Sequence, residues 1–254
     1  MSDAILTRAA PPADFRIAYG ADPNQFADVR LPKSKGPFPV LINIHGGFWR
    51  AKYDLAHAGH LCAALAGQGI ATFNLKYRRV GNEGGGWPGT FADICSAYQF
   101  IRHSAAQHAL DLTRLVVMGH SAGGQLALCL AAHEPTLRHA ISLAGVVNLQ
   151  RAFELHLSDD AVAEFLQGKP SEVPDHYRKA DPAQLSIPAE QWLIHGDDDD
   201  VVPPALSHDY VEAKKKRGEN VHLVAAAGTG HFDLIDPRSA AWKSVETTIG
   251  KVLA

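Results

Sequence analysis

Apolar and polar positions alternate in two rhythms after residue 38. Short apolar runs end at glycine or a charged residue, and each is followed by a stretch with helical spacing. "PVLINIHG" (39–46), "IATFNLKY" (70–77), "RLVVMGH" (114–120), "HAISLAGVV" (139–147), "EQWLIHG" (190–196) and "VHLVAAAG" (221–228) have the length and β-branched content of buried strands. Between them, residues 54–69 place Leu55, Leu61, Cys62 and Leu65 on one helical face. Residues 90–107 do the same with Phe91, Ile94, Cys95, Tyr98 and Ile101, while 122–133 and 239–254 complete the helical set. Continuous apolar strands alternating with helices predict an α/β fold, a mainly parallel sheet covered on both faces. Residues 13–32 alternate more strictly and contain prolines, which suits an antiparallel edge.

One stretch breaks the rhythm. Residues 148–188 read as two short helices, "LQRAFELHL" and "DDAVAEFLQG", followed by a Pro-rich return. This is either a cap inserted over the strand ends or an ordinary long connection. The expected organisation is a single domain over 1–254 with that insertion at about 148–188.

Composition narrows the class of partner. Of 254 residues, 46% are hydrophobic and 20% charged, with a net charge of −3. No basic excess favours nucleic acid, and no basic amphipathic stretch favours a membrane surface. No run reaches the about 18 apolar residues of a membrane span, and "MSDAILTRAAPPADF" lacks the pattern of a secretory signal. Cys62, Cys95 and Cys129 are far apart, which suits a reducing compartment and small core residues. A cytoplasmic protein is the expectation, with a homo-oligomer left open.

Chemistry concentrates first at "VVMGHSAGG" (116–124), which contains G-x-S-x-G as Gly119, His120, Ser121, Ala122 and Gly123. A buried strand precedes it and a helix follows. That context turns a weak pattern into a nucleophile elbow, with the serine on a sharp strand-to-helix turn. The Ala122 N–H then sits at a helix start, where amides are unpaired and the dipole favours an anion. The plainer alternative is a serine N-cap after a glycine turn. Upstream, "NIHGGFWR" (43–50) puts a Gly-Gly loop at another strand end. Acyl transfer needs backbone N–H donors aimed at the developing oxyanion. In an H-G-G-x pattern these are Gly47 and Phe48, joined by Ala122, while His45 braces the loop.

"HGGFW" followed by "GHSAGG" resembles the α/β-hydrolase superfamily. The resemblance runs from about residue 15 to the C-terminus, and its nearest branches are the hormone-sensitive-lipase-like esterases and the kynurenine-formamidase-like enzymes. Phe48 departs from both, since tyrosine is typical of the formamidases there and a third glycine of the lipase-like group. The resemblance implies an α/β-hydrolase fold in which the chain order is Ser, then Asp or Glu, then His. "AAGTGHFDLIDP" (226–237) supplies His231 just after the last strand as the base. His57 and His60 lack the glutamate of a zinc-protease motif. His120, His195 and the remaining histidines read as packing or surface residues. The acid belongs on the loop after "QWLIHG". The superfamily pattern resembles H-G-x-x-D-x-x-V-P, which matches from His195 to Pro203 and selects Asp199, with Asp197, Asp198 and Asp200 as alternatives. A calcium loop would need a glycine and a downstream glutamate that are absent here.

The implied chemistry is hydrolysis of a small carboxylic ester or an aryl formamide of the N-formylkynurenine type through an acyl-enzyme, with no cofactor and no metal. The rivals are a short-chain carboxylesterase without formamidase activity and an inactive, ligand-binding member of the fold. Trp49 and Trp87 are candidates for substrate contact, although Trp87 also suits a helix cover. Arg78 or Arg79 is expected to pair with Asp93. "KKKRGE" (214–219) reads as a solvated helix end.

Overall fold

The computed structural model describes residues 4–254. A short helix α1 (Ala4–Thr7) leads into the antiparallel strands β1 (Phe15–Ala18) and β2 (Phe26–Arg30). The rest alternates: β3 (Phe38–Ile44), α2 (Gly59–Gly67), β4 (Ala71–Lys76), α3 (Gly89–His103), β5 (Leu110–His120), α4 (Ala122–His133) and β6 (His139–Leu143). Three short helices follow: α5 (Leu149–Glu154), α6 (Ala161–Leu166) and α7 (Pro174–Ala180). The chain closes with β7 (Glu190–Gly196), α8 (Ala205–Lys216), β8 (Val221–Ala226) and α9 (Trp242–Val252).

The strands form one eight-stranded sheet in the order β1-β2-β4-β3-β5-β6-β7-β8. All pairs from β4 onward are parallel, and β1 and β2 form the antiparallel edge. Helices cover both faces, so each central strand is apolar throughout rather than alternating. One face packs Val40, Ile42, Phe73 and Val117 with α3 and α4, the other Leu41, Val116, Met118 and Ile141 with α2 and α9. This is the α/β-hydrolase fold.

The parallel pairing positions the site. Ile44 lies opposite Gly119, so the loop after β3 and the turn after β5 leave the same edge side by side. Gly196 lies opposite Ala226, which brings the loops after β7 and β8 together in the same way. Ligands of such sheets bind beyond the carboxyl ends of the strands.

Local corrections follow from packing. The Pro-rich return contains α7, started by Pro174 at its first turn, where a missing N–H costs nothing. The basic run is not wholly solvated. The Lys214 ammonium is buried, bonded to the Leu185 carbonyl and paired with Glu219 at 3.0 Å. Arg78 pairs with the buried Asp93 at 2.6 Å, whereas Arg79 is spent on the Tyr53 carbonyl and Asn24.

Candidate active site

Ser121 directly follows β5 and caps α4, with φ 56° and ψ −121°. A non-glycine residue in such a region costs of order 1–3 kcal/mol and persists only where its surroundings hold it. The hold is visible. Ser121 N–H donates to the Leu143 carbonyl at 2.8 Å, and the Ser121 carbonyl accepts from Gly124 N–H at 2.9 Å. A Cβ on Gly119 would lie 2.0 Å from the Gly123 oxygen, and one on Gly123 would lie 2.0 Å from the Ile44 oxygen. The turn therefore closes only with glycine at both positions. Ser121 is left at the wall of a cavity of about 420 Å³ that is also lined by Gly47, Phe48, His57 and His231.

The loop after β3 lies against that turn, since a Cβ on Gly46 would meet Ser121 Cβ at 2.9 Å. Three successive residues have positive φ: Gly47 at 111°, Phe48 at 46° and Trp49 at 56°. Several bonds hold this conformation. His45 Nδ1–H donates to the Gly46 carbonyl at 2.7 Å, the Tyr77 hydroxyl donates to the His45 carbonyl at 2.7 Å, and Trp49 Nε1–H donates to Gln125 Oε1 at 2.9 Å. Among the described residues, the N–H groups of Gly47, Phe48 and Ala122 have no protein acceptor. Rigid, unspent amides beside a serine are what an oxyanion requires.

The four aspartates separate by exposure: Asp197, Asp198 and Asp200 are exposed and Asp199 is buried. Asp199 Oδ1 accepts from the N–H groups of Val201 at 2.9 Å and Val202 at 2.8 Å. Its Oδ2 accepts from His231 Nδ1–H at 2.7 Å and lies 3.2 Å from His195 Nε2. Burial pushes the Asp199 carboxyl up. The hydrogen bonds from His195 and His231, the His231 charge and the Val202 amide outweigh it and hold the group well below the usual carboxylate range. Nδ1 of His231 is turned to Asp199, and His231 lines the same cavity as Ser121.

Three further histidines lie near this pair: His195 and His120, whose sequence context reads as packing, and His57. His195 Nε2 faces both the Val202 carbonyl at 2.9 Å and Asp199, so it carries the proton, and Nδ1 accepts from the Ser207 hydroxyl at 2.6 Å. His195 thereby braces the carboxylate from behind. His120 Nε2–H donates to the His231 carbonyl at 3.0 Å and fixes the backbone of that loop. Burial holds His120 far below the ordinary histidine range, so it stays neutral. His57 faces the cavity, and burial pushes its imidazole down to about 4.

Trp49 and Trp87 fall outside the cavity lining, which corrects their expected role. Trp49 is buried and stacks on Phe165 of α6 at 4.5 Å, and Trp87 packs on Phe91 at 5.3 Å and edge-on to Phe165. Both anchor α6 to the sheet domain. The cavity aromatics are Phe48, Tyr53 and Phe232. Among the described residues no cluster of three or more His, Cys, Asp or Glu side chains could hold a metal ion, and no helix is long and apolar enough to cross a membrane.

A mainly parallel eight-stranded sheet, a strained serine turn after its central strand and a buried Asp–His pair on the loops after β7 and β8 define an α/β hydrolase. A family model described as BD-FAE matches residues 27–213, and the chain belongs to that family. It is similar to Esterase LipC of Mycobacterium tuberculosis, 28% identical over 87% of this chain and 60% of that protein. A probable isoprenylcysteine alpha-carbonyl methylesterase of Oryza sativa is 26% identical over 94% of this chain and 63% of its own length. The chain thus spans about 60% of the length of these curated relatives. Among solved structures, a truncated carbohydrate esterase from gut microbiota superposes with a TM-score of 0.81 at 20% identity, covering 96% of this chain and 99% of the other. A thermophilic esterase of Thermogutta terrifontis bound to propionate gives 0.77 at 23% identity, covering 96% and 94%. These likenesses show the fold.

Proposed function

We propose that the protein is a serine esterase that cleaves small carboxylic esters through an acyl-enzyme. The observation that carries this reading is the convergence on one cavity of a strained serine, the unspent amides of Gly47 and Phe48 and a histidine bonded to a buried carboxylate, with the unspent Ala122 amide next to the serine in the chain. The similarity to esterases of the same fold supports it.

In this reading Ser121 Oγ attacks the ester carbonyl carbon and His231 takes its proton. The N–H groups of Gly47, Phe48 and Ala122 stabilise the tetrahedral oxyanion. His231 then delivers the proton to the leaving oxygen, the C–O bond breaks, and the acyl group remains on Ser121. Water, deprotonated by His231, attacks the acyl carbon, the bond to Ser121 Oγ breaks as His231 returns the proton to that oxygen, and the acid is released. Asp199 fixes the imidazole tautomer and stabilises its charged form. No step draws on a cofactor. The chain acts as one domain with residues 148–188 as its cap. Support comes from the burial of Leu149, Val162, Phe165 and Tyr177 in the same core as α3 and α4, and from Ser158 on the cavity wall.

An aryl formamide is the second reading. Phe48, Tyr53 and Phe232 offer aromatic faces to an aryl group, and an aryl amine leaves far more readily than an alkyl amine. The test compares kcat/KM on p-nitrophenyl acetate, butyrate and hexanoate with that on N-formylkynurenine. Ester hydrolysis exceeding the formamide rate by more than 10-fold is the expected outcome. A strong preference for the formamide would move the assignment to the second reading, and no hydrolysis of either would overturn both.

A further inference from the structure

We propose that the N-terminal strap, residues 4–8, builds the wall that receives the alcohol portion of the ester, with Leu6 as the residue that selects for its size and apolarity. The proposal rests on the esterase reading above. Leu6 lines the same cavity as Ser121 and His231, yet 43% of it is exposed, far more than a packing leucine requires. Its neighbours explain how so short a segment is held there. Ile5 is fully buried in the core cluster that also holds Leu61, Leu234 and Ile235. Arg8 makes a bidentate pair with Asp236, Nη1 to Oδ2 at 3.1 Å and Nη2 to Oδ1 at 2.7 Å. Arg8 Nε also lies 3.4 Å from His60 Nε2. α1 packs on the 3-10 turn Ala56–Ala58, which carries His57. The strap is therefore tied at α1 to the turn that follows the oxyanion loop and at Arg8 to the loop that follows His231, with Leu6 on the cavity wall.

The side of the cavity follows from the chemistry. The leaving oxygen takes its proton from His231, so the alcohol must lie over the His231 face. Phe232 and Val201 adjoin the His231–Asp199 pair in the chain and line the cavity, and the strap is anchored at Asp236 on that same loop. The proposal assigns the apolar lining residues Leu6, Phe232 and Val201 to the leaving-group side. The acyl chain, by contrast, stays on Ser121 after the alcohol has gone.

Two ester series separate these roles. One holds acetate constant and varies the alcohol through methyl, butyl and benzyl. The other holds p-nitrophenol constant and varies the acyl chain from acetate to hexanoate. Leu6→Ala is expected to lower the benzyl-to-methyl ratio of kcat/KM by about 5-fold, the loss of part of one leucine contact, and Leu6→Asp by about 20-fold. The shape of the acyl series is expected to stay as in the unaltered protein. The effect falls on kcat/KM and not on the deacylation rate, because the alcohol has already left. Arg8→Ala, which touches no cavity atom, is expected to lower the same ratio by about 3-fold by releasing the strap, with partial rescue in Arg8→Lys. Thermal unfolding checks that each variant is folded. If the unaltered enzyme cleaves these esters but both Leu6 variants keep its alcohol ratio, or change the acyl series instead, the proposal for the strap is wrong and the esterase reading stands. If the unaltered enzyme cleaves none of them, the esterase reading itself fails.

Discussion

Replacing Ser121 with alanine is expected to lower ester turnover by roughly 10⁵–10⁶-fold, the scale seen when the nucleophile of such a unit is removed. Each step of the proposed reaction passes through Ser121 Oγ, so the loss is not shared among other groups. The amides of Gly47, Phe48 and Ala122 would remain and leave a small residual rate above water. Alanine at this position keeps the Cβ and tolerates the same backbone, so the bonds from Ser121 to Leu143 and Gly124 survive. The variant should unfold within a few degrees of the unaltered protein. Steady-state hydrolysis of p-nitrophenyl acetate by both proteins checks this. A variant with near-normal turnover and a normal unfolding transition would remove Ser121 from the chemistry.

The second large effect is expected at Asp199. Asp199→Asn should cost about 10⁴-fold in kcat, because an amide cannot hold His231 in the tautomer that leaves its other nitrogen free to accept a proton. The amide would also set an N–H₂ group against donors in either orientation, facing both His231 Nδ1–H and His195 Nε2–H at the Oδ2 position or the Val201 and Val202 N–H groups at the Oδ1 position. Asparagine at 197, 198 or 200 should change kcat by less than about 3-fold, since loss of an exposed charge acts only through a screened field. A larger loss at any of these neighbours would reassign the acid. The same carboxylate shapes acid stability. Its folded pKa is depressed, so its stabilising contribution is present above the ordinary value of about 4 and is lost as pH falls through the folded value. The gap in melting temperature between the unaltered protein and Asp199→Asn should therefore narrow from pH 7 to pH 3.

The sheet and the catalytic candidates were readable because they depend on local pattern. Apolar runs ending at Gly46, Gly69 and Gly196 mark where strands or helices stop, and Gly119 and Gly123 flank Ser121 as a close-packed turn demands. Within the aspartate run, register against Val202 and Pro203 selected the residue that is buried. What stayed hidden depends on contacts between distant segments. His195 looks like an ordinary strand-end residue until α8 brings Ser207 to its Nδ1. His120 acquires its role from a carbonyl 111 residues away. The loops that carry Trp49 and Trp87 point to substrate contact, but Phe165 of α6 captures both rings. The strap leaves no mark in the sequence because a four-residue helix is too short to carry a periodic signal, and its anchor, Asp236, lies at the other end of the chain.

The role proposed for Ser121 is that of nucleophile in an acyl-transfer site. Its most direct test is covalent labelling with a p-nitrophenyl alkylphosphonate, whose tetrahedral phosphorus is held by serine and oxyanion donors alike. Mass spectrometry of the digested protein should find one phosphonyl group per chain, on the peptide containing Ser121, with esterase activity lost in proportion. An active preparation that retains its activity, or that carries the label on another residue, would contradict the account.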